Sequence, residues 1–448
     1  MKTNRTKIRP LLIFLIVISL ALSTVSFTSC SNPVEYLEGP EEIRAMVEAE
    51  EDKDKTYVVD YLKSWNFLPV TKSKFKGIEI IFRDYYIHGK HLPKGYELAK
   101  ETVNLFLDYC YTFVDLTDET ETTDALIACY VEAVGDPYAV YRTAKEYEIY
   151  DNDMSGNYVG IGVTIQHNPK EGYCEITDVA EDSGAEEAGI LPGDRIIGVN
   201  DVYISGESNY LEVIDSMSGE PGTNVIINLK RDQTDLRISV TRKILSEKSV
   251  KYSIIDGNIG YIRITGFKEN TYAQFRTVID ELKRAKVKGV IYDLRGNLGG
   301  YLSTVVNMLS YIAPKGTELV SFSNDYSDPM KAEGDQTFMI PSVVICNGRT
   351  ASAAELFTAA IRDFNTMGIL EGRIVGTTTF GKGVIQSPKP FTDGSVITLT
   401  IAYFYPPLGK EYCHDGVGIT PDVVVELGEA EADTQYNAAL ETIKELIK

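Results

Sequence analysis

The run Val343-Val344-Ile345-Cys346-Asn347-Gly348-Arg349-Thr350-Ala351-Ser352-Ala353-Ala354-Glu355 changes character twice over a short distance. Residues 342–346 are continuously apolar after Ser342 and rich in β-branched side chains, the pattern of a strand. Small and polar residues follow, and a helix is predicted from about Ser352 to Asp363, so Ser352 falls at a strand-to-helix turn. The same grammar extends upstream. Residues 260–264 read as a strand and 272–283 as a helix. Residues 289–294 read as a buried strand, followed by a glycine-rich turn and an apolar helix over 301–312. Strand-then-helix repetition across 246–428 implies βαβ units and a partly parallel sheet. Ligands of such sheets sit beyond the carboxyl ends of the strands. Loops 295–300 and 347–352 are therefore the places to look for chemistry.

Residues 157–245 have a different texture. Short strands are predicted at 159–163, 173–179, 195–199 and 225–229, with turns at Pro192-Gly193-Asp194 and Glu220-Pro221-Gly222-Thr223. This is a compact, mostly β module. Residues 56–150 are aromatic-rich. Leu98, Val103, Leu105, Phe106 and Cys110 fit one amphipathic helix, and Leu126, Ile127, Tyr130, Val131 and Val134 a second. The second ends at Gly135-Asp136-Pro137-Tyr138, a C-cap glycine and a proline stop. Leu440, Ile443 and Ile447 mark a docking helix within 429–448. The expected fold class is α/β and β multidomain: an N-terminal helical region, a β module, an α/β core with a partly parallel sheet, and a C-terminal helix.

The first 29 residues read as a secretory signal peptide. Lys2, Arg5, Lys7 and Arg9 precede an apolar stretch at 11–22, too short for a bilayer core that needs about 20 residues. Small polar residues then lead to Cys30, which resembles a bacterial lipobox, where the thiol is acylated and becomes the new N-terminus. An ordinary signal with a chance cysteine is the other reading, and Phe27 stands where a lipobox usually has Leu. Residues 30–55 are acidic and poor in apolar pattern, a solvated tether or a loose first helix. The expected location is the bacterial cell envelope, as a periplasm-facing or surface lipoprotein on a membrane.

A chain of 448 residues with net charge −21 can hold two or three domains and lacks the basic face a nucleic-acid binder needs. With Cys30 acylated, the other cysteines (Cys110, Cys129, Cys174, Cys346 and Cys413) are odd in number and cannot all pair. No CxxC spacing suggests zinc or a redox centre. His88, His91, His167 and His414 lie in no Ser–His–Asp or HExxH pattern, so no metal and no cofactor are implied.

Three segments can carry chemistry. Small neighbours leave Ser352 open to a substrate backbone, and free N–H groups at a helix start can hold an oxyanion. Ser352-x-x-Glu355 equally fits a capping box. Lys382 lies between Gly381 and Gly383, with Gln386 on the same side four residues on. It can act as a base if its pKa falls below about 10.4, or it can be an exposed loop lysine. Asp293-Leu294-Arg295-Gly296-Asn297-Leu298-Gly299-Gly300 can expose backbone N–H groups as oxyanion donors or simply form a tight turn. A phosphate loop is the weaker alternative, because the GK[ST] ending is missing.

Together and in this order, the segments resemble the C-terminal processing (tail-specific) peptidases of family S41, over roughly residues 130–428. The family's D-L-R-x-N-x-G-G turn corresponds to 293–300, its N-x-x-[ST]-A-S-A-[AS]-E segment to 347–355, and its F-G-K-G-x-x-Q segment to 380–386. The resemblance implies that Ser352 is the nucleophile, Lys382 the general base and Gln386 its orienting partner. It places the oxyanion hole at the N–H groups of Ala353, Gly299 and Gly300. Residues 188–197 are similar to a PDZ core, and Val159, Gly160, Ile161 and Gly162 to its carboxylate-binding loop. A serine endopeptidase that reads the C-terminal tails of envelope proteins or peptides is implied. A catalytically inactive PDZ-bearing scaffold is the rival reading, and the oligomeric state is left open. Two departures stand out: Leu298 replaces the family's proline, and the interval from Ser352 to Lys382 is longer than usual, which predicts a surface insertion near 366–372.

Overall fold

The computed structural model describes residues 40–448 apart from 66–68, 169–171, 206–208, 324–325, 335–336, 415 and 429–432. The leader, Cys30 and the acidic stretch to residue 39 lie outside the described residues. Among the described residues, no helix is long and apolar enough to cross a membrane.

The strand–turn–helix grammar becomes a six-stranded sheet. Its order is Val250–Ile255, Ile259–Ile264, Gly289–Asp293, Ser342–Cys346, Gly372–Gly376 and Val423–Val424. The first pair is antiparallel and the remaining pairs are parallel. Gly289–Asp293 and Ser342–Cys346 are buried at every position because both faces are covered. Alternation divides their side chains. Val290, Tyr292 and Val344 pack against helices Thr271–Arg284, Leu302–Ile312 and Ala353–Thr366. Ile291, Val343 and Ile345 face the C-terminal helix Thr434–Leu446 through Ala439 and Ile443.

A second, antiparallel sheet stands beside this core. The long strand Val396–Tyr405 pairs with Val384–Pro390, with Glu318–Phe322 and with Val140–Arg142. Ile397 and Leu399 from that strand enter the core of the N-terminal helices. The helical region is thus built onto the sheet that follows Lys382.

Of the two readings of 30–55, tether or loose first helix, the described residues from 40 onward show a helix, and it is packed rather than loose. From Pro40 to Glu48 the chain is a packed helix, despite its acidic composition. Ile43 and Val47 are four residues apart, form one apolar stripe and are fully buried. The Tyr96 hydroxyl donates to the Val47 carbonyl at 3.0 Å, which fixes this helix against Gly95–Tyr109.

The β module has its own antiparallel sheet, ordered Val163–Asn168, Tyr173–Val179, Arg195–Val199, Asn224–Arg231 and Thr234–Thr241. Its core includes Ile176, Ile196, Val213, Ile227 and Val240. A ribbon of Asn157–Gly160 against Lys243–Ser246 joins both ends of the module to the rest of the chain. Val159 and Gly160 lie in this ribbon. Ile161, with its side chain buried, and Gly162, at φ 88°, form the corner into the edge strand Val163–Asn168.

One buried carboxyl makes the helical region sensitive to pH. Glu79 accepts the N–H groups of Val58 and Val59 at 2.7 and 3.1 Å, capping helix Val58–Trp65 from elsewhere in the chain. Burial pushes its pKa up from 4.5 to about 7, against the pull of these bonds. A pKa raised on folding means that the folded chain binds the proton more tightly. The contribution is present below the unfolded value and is lost as pH rises through about 7. Thermal melts followed by circular dichroism should show a midpoint that falls between about pH 5 and about pH 8, with a change on the order of 3 kcal/mol. Glu79→Gln, which cannot titrate, should flatten that slope.

Candidate active site

Strands Gly289–Asp293 and Ser342–Cys346 are neighbours, with Asp293 opposite Ile345, so the loops that leave them run side by side. The two loops are hydrogen-bonded to each other. Thr350 Oγ1 donates to the Leu294 carbonyl at 2.9 Å, Ala351 N–H to the Asn297 carbonyl at 2.9 Å, and Gly296 N–H to Asn347 Oδ1 at 3.0 Å. Asn297 is fully buried and also donates to the Ile264 carbonyl at 3.0 Å. Beneath the turn, buried Asp293 binds Tyr261 and the guanidinium groups of Arg263 and Arg295. Its carboxyl is held below the usual range: burial alone would raise it, but Arg295 and Arg263 prevail.

Ser352 stands at the start of helix Ala353–Thr366, half-buried, with φ 55° and ψ −119°. The capping-box relation with Glu355 is present, and Ser352 N–H donates to Glu355 Oε2 at 2.9 Å. Yet an ordinary N-cap takes an extended backbone. A serine at positive φ is strained, and such strain gathers at functional sites.

The lysine segment closes the same cleft from the other side. Glu355, fully buried, accepts the N–H groups of Gly381 and Lys382 at 2.7 and 2.8 Å and the Thr379 hydroxyl at 2.6 Å. Burial raises the Glu355 pKa, and these four donors oppose the rise. Lys382 Nζ donates to Gln386 Oε1 at 2.6 Å. Burial holds the Lys382 pKa below its ordinary value. Arg142 adds to that effect, while Asp136 and Glu355 oppose it.

The flanking glycines have a reason of their own. A Cβ at Gly383 would lie 1.9 Å from His414 Cδ2 and 2.4 Å from the Cys413 carbonyl. His414 is therefore packed against the lysine loop rather than free in solvent, and its Nε2 lies 2.9 Å from the Phe404 carbonyl oxygen. Residues 367–371, where an insertion is expected, form only the turn that ends helix Ala353–Thr366. Ile369 N–H returns to the Phe364 carbonyl at 2.9 Å. That turn closes locally, ahead of strand Gly372–Gly376, and the lysine contacts are made.

Ser352, Ala353, Gly299, Gly300, Lys382 and Gln386 line one cleft of about 570 Å³. Leu298, 63% exposed, lies on its rim, and Leu302, Leu356 and Phe404 add apolar wall. One expected donor is engaged elsewhere: Gly299 N–H donates to Asn297 Oδ1 at 2.9 Å. Its other role is spatial. A Cβ at Gly299 would lie 2.9 Å from Ser352 Cβ and 3.0 Å from Ala353 N, and its φ is 102°. The loop residues Val159, Gly160, Ile161 and Gly162 are not among those that line this cleft. No group of His, Cys, Asp and Glu side chains among the described residues is arranged to hold a metal ion. The sequence reading missed three contributors: Glu355 as a tie to the lysine loop, Asn297 as the pivot of the glycine turn, and Tyr138, whose carbonyl accepts Gln386 Nε2.

The Peptidase family S41 profile matches residues 258–425, and a PDZ domain profile matches 175–231. The chain is 34% identical over 356 residues to the carboxy-terminal processing protease CtpA of Bacillus subtilis, covering 78% of this chain and 72% of that protein. It is 32% identical over 316 residues to the carboxy-terminal-processing protease of Bartonella bacilliformis, covering 68% and 70%. In fold it is similar to an S41 protease from Bacteroides fragilis NCTC 9343, with a TM-score of 0.52 and 17% identity over 83% of this chain and 98% of that one. The molecule is a serine-type peptidase. It belongs to peptidase family S41 and carries a PDZ domain.

Gly299→Ala tests the packing of the cleft. Its methyl group meets Ser352 and the start of the helix, at a φ that L residues rarely adopt. Peptide turnover should fall at least about a hundredfold, the penalty for a misplaced reacting group. The far-ultraviolet circular dichroism should stay near wild type.

Proposed function

We propose that Ser352 and Lys382 form a catalytic dyad, with Gln386 holding the lysine. The observation that carries this reading is the pairing of a strained, half-buried serine with a lysine of depressed pKa on one cleft, joined through Glu355. Ser352 Oγ attacks the peptide carbonyl carbon while neutral Lys382 Nζ takes its proton. The tetrahedral oxyanion is met by the N–H groups of Ala353, at the helix start, and Gly300. Its collapse breaks the C–N bond, and Lys382 returns the proton to the leaving amine. Water then hydrolyses the acyl-enzyme by the same base. An inactive scaffold has no use for a serine held in strain beside a lysine pinned by a glutamine.

The reading extends to substrate choice. Among the described strands, Val163–Asn168 pairs only with Tyr173–Val179, so it is a sheet edge. Such an edge accepts an extended peptide by strand addition. The corner at Gly160–Gly162 stands at the head of that strand, where backbone N–H groups can hold a terminal carboxylate. Substrates are then proteins or peptides read by their C-terminal tails. The relatives' names, carboxy-terminal processing proteases, support this choice. With Cys30 acylated, the enzyme works at a membrane of the bacterial envelope.

Lys382→Arg keeps the charge but supplies a group that stays protonated at any workable pH. Turnover of a model peptide should be lost, as in Ser352→Ala, and activity near wild type would sink the dyad. In the wild type, kcat should rise with pH as Lys382 loses its proton, with a midpoint below the free-lysine value of about 10.4. A peptide offered as free acid and as C-terminal amide checks the tail reading; the acid should be cleaved faster, and equal rates would refute it. For the anchor, Cys30→Ala should move the protein from the membrane to the soluble fraction, and continued lipid labelling of that variant would exclude acylation at Cys30.

A further inference from the structure

Lys382 and Gln386 are met by a segment that lies outside the matched peptidase region. Helix Glu119–Val134 ends at Gly135, and the chain crosses to the second sheet as a short strap, residues 136–139, before strand Val140–Arg142. The strap is tied down at Asp136, which is buried. Asp136 Oδ2 accepts Thr400 N–H at 3.2 Å, and its Oδ1 accepts the Thr400 hydroxyl at 3.2 Å and Tyr138 N–H at 3.0 Å. Thr400 is the register partner of Gln386 across the strand pair. Anchoring Asp136 on Thr400 therefore sets Tyr138 directly over Gln386.

Two contacts follow from that placement. The Tyr138 carbonyl accepts Gln386 Nε2. A carbonyl can only accept, so the amide cannot flip, and Oε1 is the atom turned to Lys382 Nζ. An amine that donates one N–H to Gln386 keeps its lone pair, when neutral, free for another partner. Lys382 Nζ lies over the face of the Tyr138 ring, 4.9 Å from its centre.

We propose that Tyr138 is a positioning residue for the reaction: its carbonyl locks the Gln386 amide and its ring covers the Lys382 amine, so that the N-terminal region completes the base. This rests on the reading of Lys382 as the base. The charged groups around the amine are Asp136, Arg142 and Glu355, and burial is the strongest influence on it. Opening the ring side lets water reach the ammonium, which relieves part of that burial and favours the charged form.

The test uses the full-length enzyme and a model peptide. Tyr138→Ala should lower kcat at least about tenfold with KM nearly unchanged, as expected for a displaced reacting group. The acid limb of its kcat–pH profile should move to higher pH by about half a unit or more. Tyr138→Phe, which keeps the ring, should behave as wild type; the main-chain carbonyl is present in every variant, so the comparison isolates the ring. Should Tyr138→Ala not fold, Tyr138→Val, whose smaller side chain still leaves the ring position open to water, carries the same expectation. Wild-type kcat with an unmoved profile overturns the proposal. So does a rise in KM at constant kcat, which would make Tyr138 a substrate contact. Lys382→Arg measured in parallel separates the two ideas. An active Lys382→Arg removes the dyad, and this proposal with it. An inactive Lys382→Arg beside a fully active Tyr138→Ala leaves the dyad standing and removes the strap alone.

Discussion

The carboxylate of Glu355 is the constraint around which the site is arranged. It is fully buried and accepts four hydrogen bonds: from the N–H groups of Ser352, Gly381 and Lys382 and from the Thr379 hydroxyl. These four partners belong to two segments that share no secondary structure. One is the turn at the end of a parallel strand, and the other is a loop entering an antiparallel sheet. Hydrogen bonds to a charged acceptor in a dry site are among the stronger ones. They make the distance between the serine turn and the lysine loop a fixed property of the fold. Thr379 extends the tie by accepting Ile419 N–H at 2.7 Å, so residues near the end of the peptidase core also bear on the position of Lys382.

Each partner of the pair is held by a different part of the chain. The parallel sheet delivers Ser352, because Ser342–Cys346 ends beside Gly289–Asp293 and the two following loops are stitched by Asn297, Thr350 and Asn347. The antiparallel sheet delivers Lys382, because Val384–Pro390 starts just after it and Gln386 lies in register with Thr400. The N-terminal helices hold the second sheet from behind through Ile397 and Leu399. The helical region is thus part of the scaffold of the site, and helix Ala144–Ser155 adds Tyr147, Tyr150, Asp153 and Met154 to the cleft lining.

How much of this could be read from the sequence depended on how local the signal was. The strand–turn–helix at 342–363 and its repeats are local patterns, and they predicted the parallel sheet and the loops that matter. That Ser352, Lys382 and Gln386 would share one cleft could be anticipated, because each sits in a short motif and the motifs come in one order. Glu355 was visible only as the fourth residue of a capping box. Its bonds to residues 379–382 depend on tertiary structure that no spacing encodes. Gly299 was expected to offer its N–H, but the neighbouring side chain of Asn297 takes it. Tyr138 reaches Gln386 across 248 positions, beyond any pattern. The acidic stretch from Pro40 allowed a tether or a loose helix, and what its composition hid was the packing. Composition outweighed a two-residue apolar stripe, Ile43 and Val47, that was enough to dock a helix.

The site carries unfavourable features that the rest of the fold sustains. Ser352 is held at a backbone conformation that costs on the order of 1–3 kcal/mol. Lys382 is partly stripped of water, which disfavours its charged form. A lysine pKa lowered on folding opposes folding at neutral pH, because the unfolded chain holds the proton more tightly. Glu355 bears the same kind of cost, offset by its four donors. A base that is too strongly depressed would be a poor proton acceptor, and one left at its ordinary value would stay charged. Asp136 and Glu355 pull the amine back toward the charged form while burial and Arg142 push it away. The Tyr138 ring acts in both directions, excluding water yet presenting a π face to the ammonium. The Lys382 pKa is a balance among groups from the strap, helix Ala353–Thr366 and the second sheet. Tyr138, from the strap outside the matched peptidase region, meets this balance through its contacts with Gln386 and Lys382.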